Sequence, residues 1–267
     1  MIRTLLTRRW LGALAAAVAF CLVCLYLGSW QYGRHEERSA AARSVRANYG
    51  SDPVPLDSVL PARGTLTDGQ VWTKVEVRGR YAPGDPLMVR NRPQNVTYGF
   101  EALAPLDLPD GTALLVDRGW VPNGPRAEVI PDVPPAPGGE VRVTGWLRKG
   151  EPSLNREMPG RLLASINLPE AAEKSGRTLR DAYLVLESED IGGQEPPRPT
   201  PLLPPDTDIG PHFAYAMQWW IGSLAGFVIV GVYLRREAHD ARRAALPERE
   251  LVPAKPRKRR IWDEEDE

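Results

Sequence analysis

Two long apolar stretches, one near each end of the chain, limit most strongly what these 267 residues can fold into. The first runs from Trp10 to Gly33 without a charged side chain, and the second runs from Ile209 to Leu234 with one histidine near its start. A helix of about 20 apolar residues spans the hydrocarbon core of a bilayer. The sequence therefore predicts transmembrane helices at residues 10–33 and 209–234, with a domain at residues 34–208 between them.

Two cleavable signals compete with a membrane anchor at the first stretch. A secretory signal peptide has a shorter apolar region that ends in a small-x-small site, whereas this stretch ends in LYLGSW, a poor site for cleavage. A lipoprotein signal needs a small residue before its cysteine, but Phe20 precedes Cys21 and Val23 precedes Cys24. These features favour an uncleaved helix.

The basic residues next to the two stretches predict the orientation of the chain. Arginines flank the stretches on the sides of the chain ends: Arg3, Arg8, Arg9, Arg235, Arg236, Arg242 and Arg243. Positive loops stay in the cytoplasm, so we expect a bacterial plasma-membrane protein with residues 1–9 and 235–267 inside and residues 34–208 outside. The charged, proline-containing tail predicts disorder, and its basic cluster at 257–260 either contacts anionic lipid or is solvated.

Between the stretches the period of apolar residues changes to the alternation of β-strands. Helices are predicted at 34–47 and 168–176, and Asp110-Gly111 predicts a hairpin turn. Six strands are predicted in the segments VWTKVEVRGRYA, PLMVRNR, YGFEALAPLDL, TALLVDRGW, EVRVTGWLR and AYLVLES. The expected fold class is α+β, in which two transmembrane helices flank an extracytoplasmic antiparallel β-sheet or partly closed barrel with a few short helices.

Few chemical motifs are present in the sequence. It has no phosphate-binding glycine loop, no zinc-protease helix and no nucleophile elbow, and residues 34–208 contain one histidine, His35. Lys plus Arg equals Asp plus Glu, so the charge gives no reason to expect a nucleic-acid partner. Cys21 and Cys24 form a C-x-x-C that suits either a metal or redox site or ordinary apolar packing. Strand arginines form either a basic surface or an outward-facing solvated row: Arg78, Arg80, Arg90, Arg92 and Arg118.

The second stretch offers one candidate ligand. On a helix, five of its residues follow three- and four-residue steps and are predicted to share one face: His212, Tyr215, Trp219, Gly222 and Gly226. The two glycines form a G-x-x-x-G, which permits close helix packing. A neutral imidazole there is able to ligate haem iron, with aromatic rings against the macrocycle. From the residues alone, an interfacial histidine that is hydrogen-bonded or solvated is the interpretation with the lower cost, because His212 lies close to the end of the apolar stretch.

Four segments, in the same order and with the same two-helix layout, resemble the surfeit locus cytochrome c oxidase assembly family. The first stretch ends in LGSWQYGR, similar to the family's G-x-W-Q-x-x-R, and the middle segment contains VRGRYAPGDPLMVRNR. Tyr98-Gly99-Phe100 is followed by LDLPDGTALLVDRGWVPNG, and the second stretch opens with PHFAYAMQWW, similar to H-x-x-Y-A-x-Q-W. Nearly all of the chain before the tail is covered, while the long tail and Trp220 depart from the pattern.

The resemblance implies a non-enzymatic factor that delivers haem a to the catalytic subunit of a haem–copper oxidase. The family's haem-contacting histidine falls on His212, while matching positions implicate residues near it: Tyr215, Gln218, Trp219, Trp30 and Gln31. The haem a synthesis enzyme is a further candidate partner, besides membrane lipid. Arg118-Gly119-Trp120 is expected to be a turn that shapes the domain or meets an oxidase subunit. Two alternatives remain: a scaffold that binds no haem, and a membrane-anchored enzyme or sensor.

Overall fold

One helix of 41 residues, α1, runs from Arg8 to Asn48 in the computed structural model, which describes residues 7–84, 86–124 and 130–244. The chain divides into two compact units. The helical unit contains Met1–His35 and Gly210–Glu267, and the β unit contains Glu36–Ile209. The helix predicted to continue out of the membrane at 34–47 is confirmed, since α1 extends through this segment without a break.

The helical unit also contains α4 (His212–Gly222) and α5 (Ala225–Ala244). Its two helical segments are long and apolar enough to cross a membrane, and only 17% and 11% of their most apolar windows are buried. Helices of a soluble core bury most of such a surface, so this exposure is compatible with a membrane protein. Helix α5 extends ten residues past Leu234, into the predicted tail, and residues 245–267 of that tail lie outside the described residues.

In the described residues of the β unit, the rest consists of eight strands, two short α-helices and one 3₁₀ turn (Asp68–Gln70). The helices are α2 (Leu56–Val59) and α3 (Leu168–Ser175). The strands are β1 (Val54–Pro55), β2 (Lys74–Tyr81), β3 (Leu87–Gln94), β4 (Thr97–Asp107), β5 (Ala113–Pro122), β6 (Val141–Arg148), β7 (Leu162–Leu163) and β8 (Leu179–Asp190). All six predicted strands are confirmed, whereas the two-residue strands β1 and β7 were not predicted, because they are too short to show a period.

The strands form one sheet in the order β1-β2-β6-β8-β5-β4-β3-β7, and β2 pairs with β4 as well. The predicted fold class is confirmed, with one difference in the sheet. Three pairings are parallel, β1 with β2, β3 with β7 and β5 with β8, so the sheet is mixed instead of antiparallel throughout. A parallel pair needs a crossover connection, and the segment with β6, β7 and α3 connects β5 to β8.

Local sequence signals explain the turns and ends of these elements. Between β4 and β5, the carboxylate of Asp110 accepts a hydrogen bond from the Thr112 amide at 2.9 Å, and Gly111 has a φ of +80°. Helix α3 is capped by Asn167, whose side chain accepts from the Glu170 amide, and it ends at Gly176 in the left-handed conformation. The predicted Pro83-Gly84-Asp85 turn includes residue 85, which lies outside the described residues.

Most of the buried side chains of the β unit belong to two apolar clusters. The larger cluster contains Leu60, Leu106, Val143 and Leu184, and the second contains Leu103, Leu163 and Tyr183. Alternating positions of β4, β5, β6 and β8 supply both clusters. The sheet therefore has apolar packing at its centre, and the buried charges described below are exceptions to it.

Candidate functional site

His212 is the first residue of α4, and its side chain lies against α1. Its Nδ1 is 2.9 Å from Oε1 of Gln31. An amide oxygen only accepts hydrogen bonds, so with Oε1 facing the ring Nδ1 carries the hydrogen atom and donates a hydrogen bond to Gln31. The other ring nitrogen, Nε2, then has its lone pair free, and a neutral imidazole in this tautomer is a metal ligand. The structure thus brings together two of the residues that the sequence analysis selected.

Trp220 packs on the backbone of α1 at Gly28. A Cβ atom added to Gly28 would lie 2.4 Å from the indole Cδ1 and Nε1 of Trp220, closer than any Cβ contact permits. Only glycine fits there, which gives a structural reason for the glycine of the LGSWQ segment. Trp220 departs from the family pattern, but the structure packs it against α1, with its ring centroid 5.7 Å from that of Tyr32.

The rings of His35 and Phe213 continue the aromatic contacts made by Tyr32 and Trp220. The imidazole of His35 lies 5.3 Å from the ring of Phe213 and 6.2 Å from that of Tyr32. His35 follows Gln31 by four residues, so both side chains lie on one face of α1. The Nδ1 atom of His35 is buried without a hydrogen-bond partner. Sequence reasoning missed His35 and Phe213, although the four-residue spacing from Gln31 is a usable signal.

The other predicted site residues lie on different faces. Tyr215 is 46% exposed and Trp30 is 51% exposed, Gln218 is exposed and Trp219 is partly buried. The face of α4 that is buried instead steps through His212, Ala216 and Trp220. The structure therefore does not bring Tyr215, Gln218 or Trp30 to the Gln31–His212 contact.

The two glycines of the predicted G-x-x-x-G, Gly222 and Gly226, do not form one packing surface. A Cβ on Gly222 would meet nothing within 4 Å, whereas a Cβ on Gly226 would lie 3.1 Å from the Cβ of Ala17. Gly226 alone is thus a close-packing position. Helix α4 ends at Gly222 and α5 begins at Ala225, so the two glycines belong to separate helical segments. The hydroxyl of Ser223, in the break between them, donates to the Trp220 carbonyl at 2.6 Å.

The two cysteines remain free thiols in α1. Cys24 is fully buried and Cys21 is partly buried. Among the described residues, no group of three or more His, Cys, Asp or Glu side chains is placed to hold a metal ion. The fully buried Cys24 thus packs inside the helical unit.

Haem fits the chemistry of the His212 position. Haem iron takes an imidazole nitrogen as an axial ligand, and a hydrogen bond on the other ring nitrogen fixes the ring and increases its basicity. Gln31 supplies that hydrogen bond, and a glycine, Gly210, is next to Nε2: a Cβ there would lie 3.6 Å from it. Exposed aromatic side chains on α1 and α4 supply apolar surface for a macrocycle. One imidazole with one fixed tautomer is suited to reversible ligation.

In the β unit, Arg118 forms a buried ion pair. Its side chain is 2% exposed, and the side chain of its partner Glu189 is fully buried. The Nη2 atom of Arg118 donates a hydrogen bond to Oε1 of Glu189 at 2.6 Å. The hydroxyl of Tyr81 donates to the other Glu189 oxygen at 2.8 Å. Burial, followed by the charge of Glu189, raises the pKa of Tyr81 well above its usual value. Both sequence interpretations of Arg118, a basic surface and a solvated row, are wrong because it pairs across the sheet.

Arg92 also does not belong to the predicted basic surface or solvated row. Its guanidinium Nε atom lies 3.0 Å from Oε2 of Glu101 and its Nη2 atom contacts Oε2 of Glu151. Burial raises the pKa of Glu101. For Glu151, burial also acts to raise the pKa, but hydrogen bonds from Arg92 and the Ile166 amide outweigh it and lower the pKa. Arg92 therefore neutralises carboxylates inside the β unit.

Gly119 and Trp120 attach the segment that precedes α4 to the sheet. Trp120 and Thr200 exchange two backbone hydrogen bonds of 2.7 and 3.0 Å. Gly119 has a φ of +133°, and a Cβ there would lie 2.5 Å from the Thr200 carbonyl oxygen. Residues 118–120 thus belong to strand β5 instead of the expected turn, and they hold the segment around Thr200 on the sheet.

Comparison with known proteins gives one family. A family model described as the SURF1 family matches residues 18–224. The chain is 30% identical to an uncharacterized SURF1-like protein of Mycobacterium tuberculosis over 248 residues, which cover 90% of this chain and 88% of the relative. It is 23% identical to a SURF1-like protein of Rickettsia conorii over 217 residues, which cover 80% and 88%. A SURF1-like protein of Dictyostelium discoideum is 24% identical over 114 residues, 40% of this chain and 42% of the relative.

Proposed function

Because the chain belongs to the SURF1 family, we propose that it is an assembly factor for a haem–copper oxidase and that it delivers haem a, held by His212, to the catalytic subunit. Family membership fits the role in oxidase assembly. The contact that carries the haem proposal is the 2.9 Å hydrogen bond between His212 Nδ1 and Gln31 Oε1, because it leaves Nε2 as the ligating atom.

Each residue of the candidate site has a separate task in this proposal. His212 ligates the iron through Nε2, and Gln31 holds the proton on Nδ1 and keeps the ring in place. Trp220, seated on Gly28, holds the two helices in contact beside the imidazole. The exposed rings of Trp30 and Tyr215 offer apolar surface to the macrocycle. A carrier must release its cargo, and a single neutral nitrogen ligand gives moderate affinity.

The orientation of the chain supports delivery at the outer side of the membrane. Arg8 and Arg9 precede the first apolar stretch, and Arg235 and Arg236 follow the second. By the positive-inside rule these residues stay in the cytoplasm, which places His212 near the outer boundary and residues 34–208 outside the plasma membrane. An oxidase subunit in the same membrane then receives the haem by lateral contact, with the enzyme of haem a synthesis as the candidate source.

The test is the absorption spectrum of the full-length protein, purified in detergent after co-expression with haem a synthesis. Two variants accompany the parent. His212→Ala removes the ligand, and His239→Ala is the matched control, since His239 lies on α5 with a side chain that is 66% exposed. We expect a reduced haem a band in the parent and in His239→Ala, and its loss or displacement in His212→Ala.

Other outcomes contradict separate parts of the proposal. A parent that is soluble, folded and free of haem would remove the carrier function, and the scaffold would remain. Equal haem in all three proteins would keep haem binding but exclude His212 as the ligand. In cells, normal oxidase assembly in a His212→Ala strain would also favour the scaffold.

A further inference from the structure

In the helical unit, a cavity of about 640 Å³ lies between α1 and α5. The two helices come close beside it, where a Cβ on Gly226 would lie 3.1 Å from the Cβ of Ala17. Ala13, which precedes Ala17 by one helical turn, lines the cavity together with Ile229 and Val230. The small side chain of Ala13 leaves the space between the helices unfilled. This part of the cavity therefore offers an apolar surface to a ligand.

Trp10 and Tyr233 line the other end of the cavity. Trp10 is the first residue of the first apolar stretch, and Tyr233 precedes the last residue of the second. Tryptophan and tyrosine are enriched where transmembrane helices meet the membrane surface. The indole Nε1 of Trp10 donates a hydrogen bond to Oε2 of Glu237 at 3.2 Å, which connects α1 to α5 at this level. The cavity thus extends from the membrane surface into the apolar segments, as a headgroup and its acyl chain do.

Two arginines lie over these aromatic rings. The guanidinium carbon of Arg9 is 5.7 Å from the ring centroid of Trp10, and that of Arg236 is 5.9 Å from the ring centroid of Tyr233. In the described part of the chain, Arg236 forms no ion pair. The Nη1 atom of Arg9 is 3.9 Å from Oε2 of Glu237, which is too far for a hydrogen bond. Both guanidinium groups are therefore able to pair with a phosphate through parallel hydrogen bonds.

Two carboxylates at the same end of the cavity oppose a purely anionic ligand. Glu237 and Asp240 line the cavity beside the arginines. The Asp240 side chain is 80% exposed, and its Oδ1 atom is 3.9 Å from Nδ1 of His239. The two arginines and the two carboxylates sum to a net charge of zero. A headgroup with one negative and one positive group therefore finds a partner for each, whereas an anionic headgroup brings no cation to the carboxylates.

We propose that this cavity binds one phospholipid whose headgroup combines a phosphate with a primary ammonium group, as in phosphatidylethanolamine. The phosphate pairs with Arg9 and Arg236, and the ammonium group donates hydrogen bonds to Glu237 and Asp240. One acyl chain lies against Ala13. A lipid is the expected occupant because only 17% and 11% of the most apolar helical windows are buried. The site uses no residue of the haem proposal and rests only on the membrane location of the helices.

Native mass spectrometry of the delipidated full-length protein in detergent measures the binding. The probes are phosphatidylethanolamine, phosphatidylglycerol and phosphatidylcholine with identical acyl chains. We expect one site that binds phosphatidylethanolamine about tenfold more tightly than either other lipid, which corresponds to about 1.4 kcal/mol. Phosphatidylglycerol has no cation for the carboxylates, and phosphatidylcholine has no N–H donor. Asp240→Asn should therefore reduce the preference over phosphatidylglycerol.

Two further variants test the two ends of the cavity separately. Arg236→Gln should weaken binding of all three lipids, and Arg235→Gln is its matched control, because Arg235 is exposed and does not line the cavity. Ala13→Leu fills the apolar part and leaves all four charges in place, so it should abolish binding. Ala15→Leu is its control, since Ala15 is exposed on the same helix.

Several results would overturn the proposal. Equal binding of the three lipids by the parent, or a preference for phosphatidylglycerol, contradicts it without any variant. Unchanged binding in a folded Arg236→Gln or Ala13→Leu protein would do the same. A parent that binds no lipid and forms a dimer, which Ala13→Leu dissociates, would assign the cavity to a second copy of the chain.

Discussion

Replacing Arg118 by methionine should lower the free energy of unfolding of the β unit more than replacing an exposed charged residue does. The variant leaves the fully buried Glu189 carboxylate with the Tyr81 hydroxyl as its remaining partner. Removal of one member of a buried ion pair costs about 3–5 kcal/mol. The carbonyls of Pro134 and Pro197, which accept from Arg118 at 2.9 and 3.2 Å, lose their donor as well. Since domains are stable by about 5–15 kcal/mol, the loss is a large part of the total.

A double variant separates the pair from its surroundings. Arg118→Met combined with Glu189→Met removes both charges, and replacing a buried pair by apolar side chains is often neutral. The Tyr81 hydroxyl and the two carbonyls stay unpaired, at about 1–3 kcal/mol for each buried group. We therefore expect the double variant to be more stable than the sum of the two single variants by about 2–3 kcal/mol.

Equilibrium urea unfolding of the full chain in detergent measures these free energies, with hydrogen exchange of β5 and β8 as the local readout. The matched control is Arg142→Met, since its pair with Glu76 has a separation of 3.8 Å and side chains that are 45% and 41% exposed. An exposed pair contributes at most about 1 kcal/mol. If Arg118→Met costs no more than this control, or if the two single variants add, the buried-pair argument is refuted.

Three further substitutions follow from the described contacts. Gly28→Val places a side chain 2.4 Å from the Trp220 indole, so α1 and α4 must separate. Cross-linking between cysteines introduced into these two helices should therefore fall several-fold. Gln31→Leu removes the acceptor of His212 Nδ1, and the weaker ligand should lower retained haem a about 10–100-fold, seen in the same absorption spectrum. Asp117→Asn should stabilise the protein above pH 4 and flatten its dependence on pH, since burial raises the pKa of Asp117 well above 3.8.

The sign for Asp117 follows from where its proton is bound. In the folded state the raised pKa keeps the carboxyl group protonated, whereas the unfolded chain releases the proton near pH 3.8. Stability is therefore full below that pH and falls as the pH rises toward the folded pKa. Unfolding free energies at pH 5 and pH 8 should differ less in Asp117→Asn than in the parent. An equal pH dependence in both would contradict this, as would normal haem retention in Gln31→Leu or unchanged cross-linking in Gly28→Val.

Local patterns in the sequence were sufficient for the elements and their ends. Alternation predicted six strands, and the segment 168–176 with its final glycine predicted α3 and its end, because the period and the capping chemistry depend only on neighbouring residues. The uncharged run from Trp10 to Gly33 predicted the first apolar helix. Four segments in order predicted the family, and two of the predicted site residues, His212 and Gln31, are in contact.

Contacts between distant residues were decided only by the tertiary structure. A strand pattern tells which face a side chain takes but not which strand lies beside it, so the pairing of Arg118 with Glu189, 71 residues away, was invisible in the sequence and the arginine was wrongly placed in water. The same holds for Trp220, which packs against Gly28 of another helix. The sequence by itself determined the helices, the strands and the candidate ligand. The fold decided which charges are buried, because burial is a property of neighbours that only long-range packing supplies.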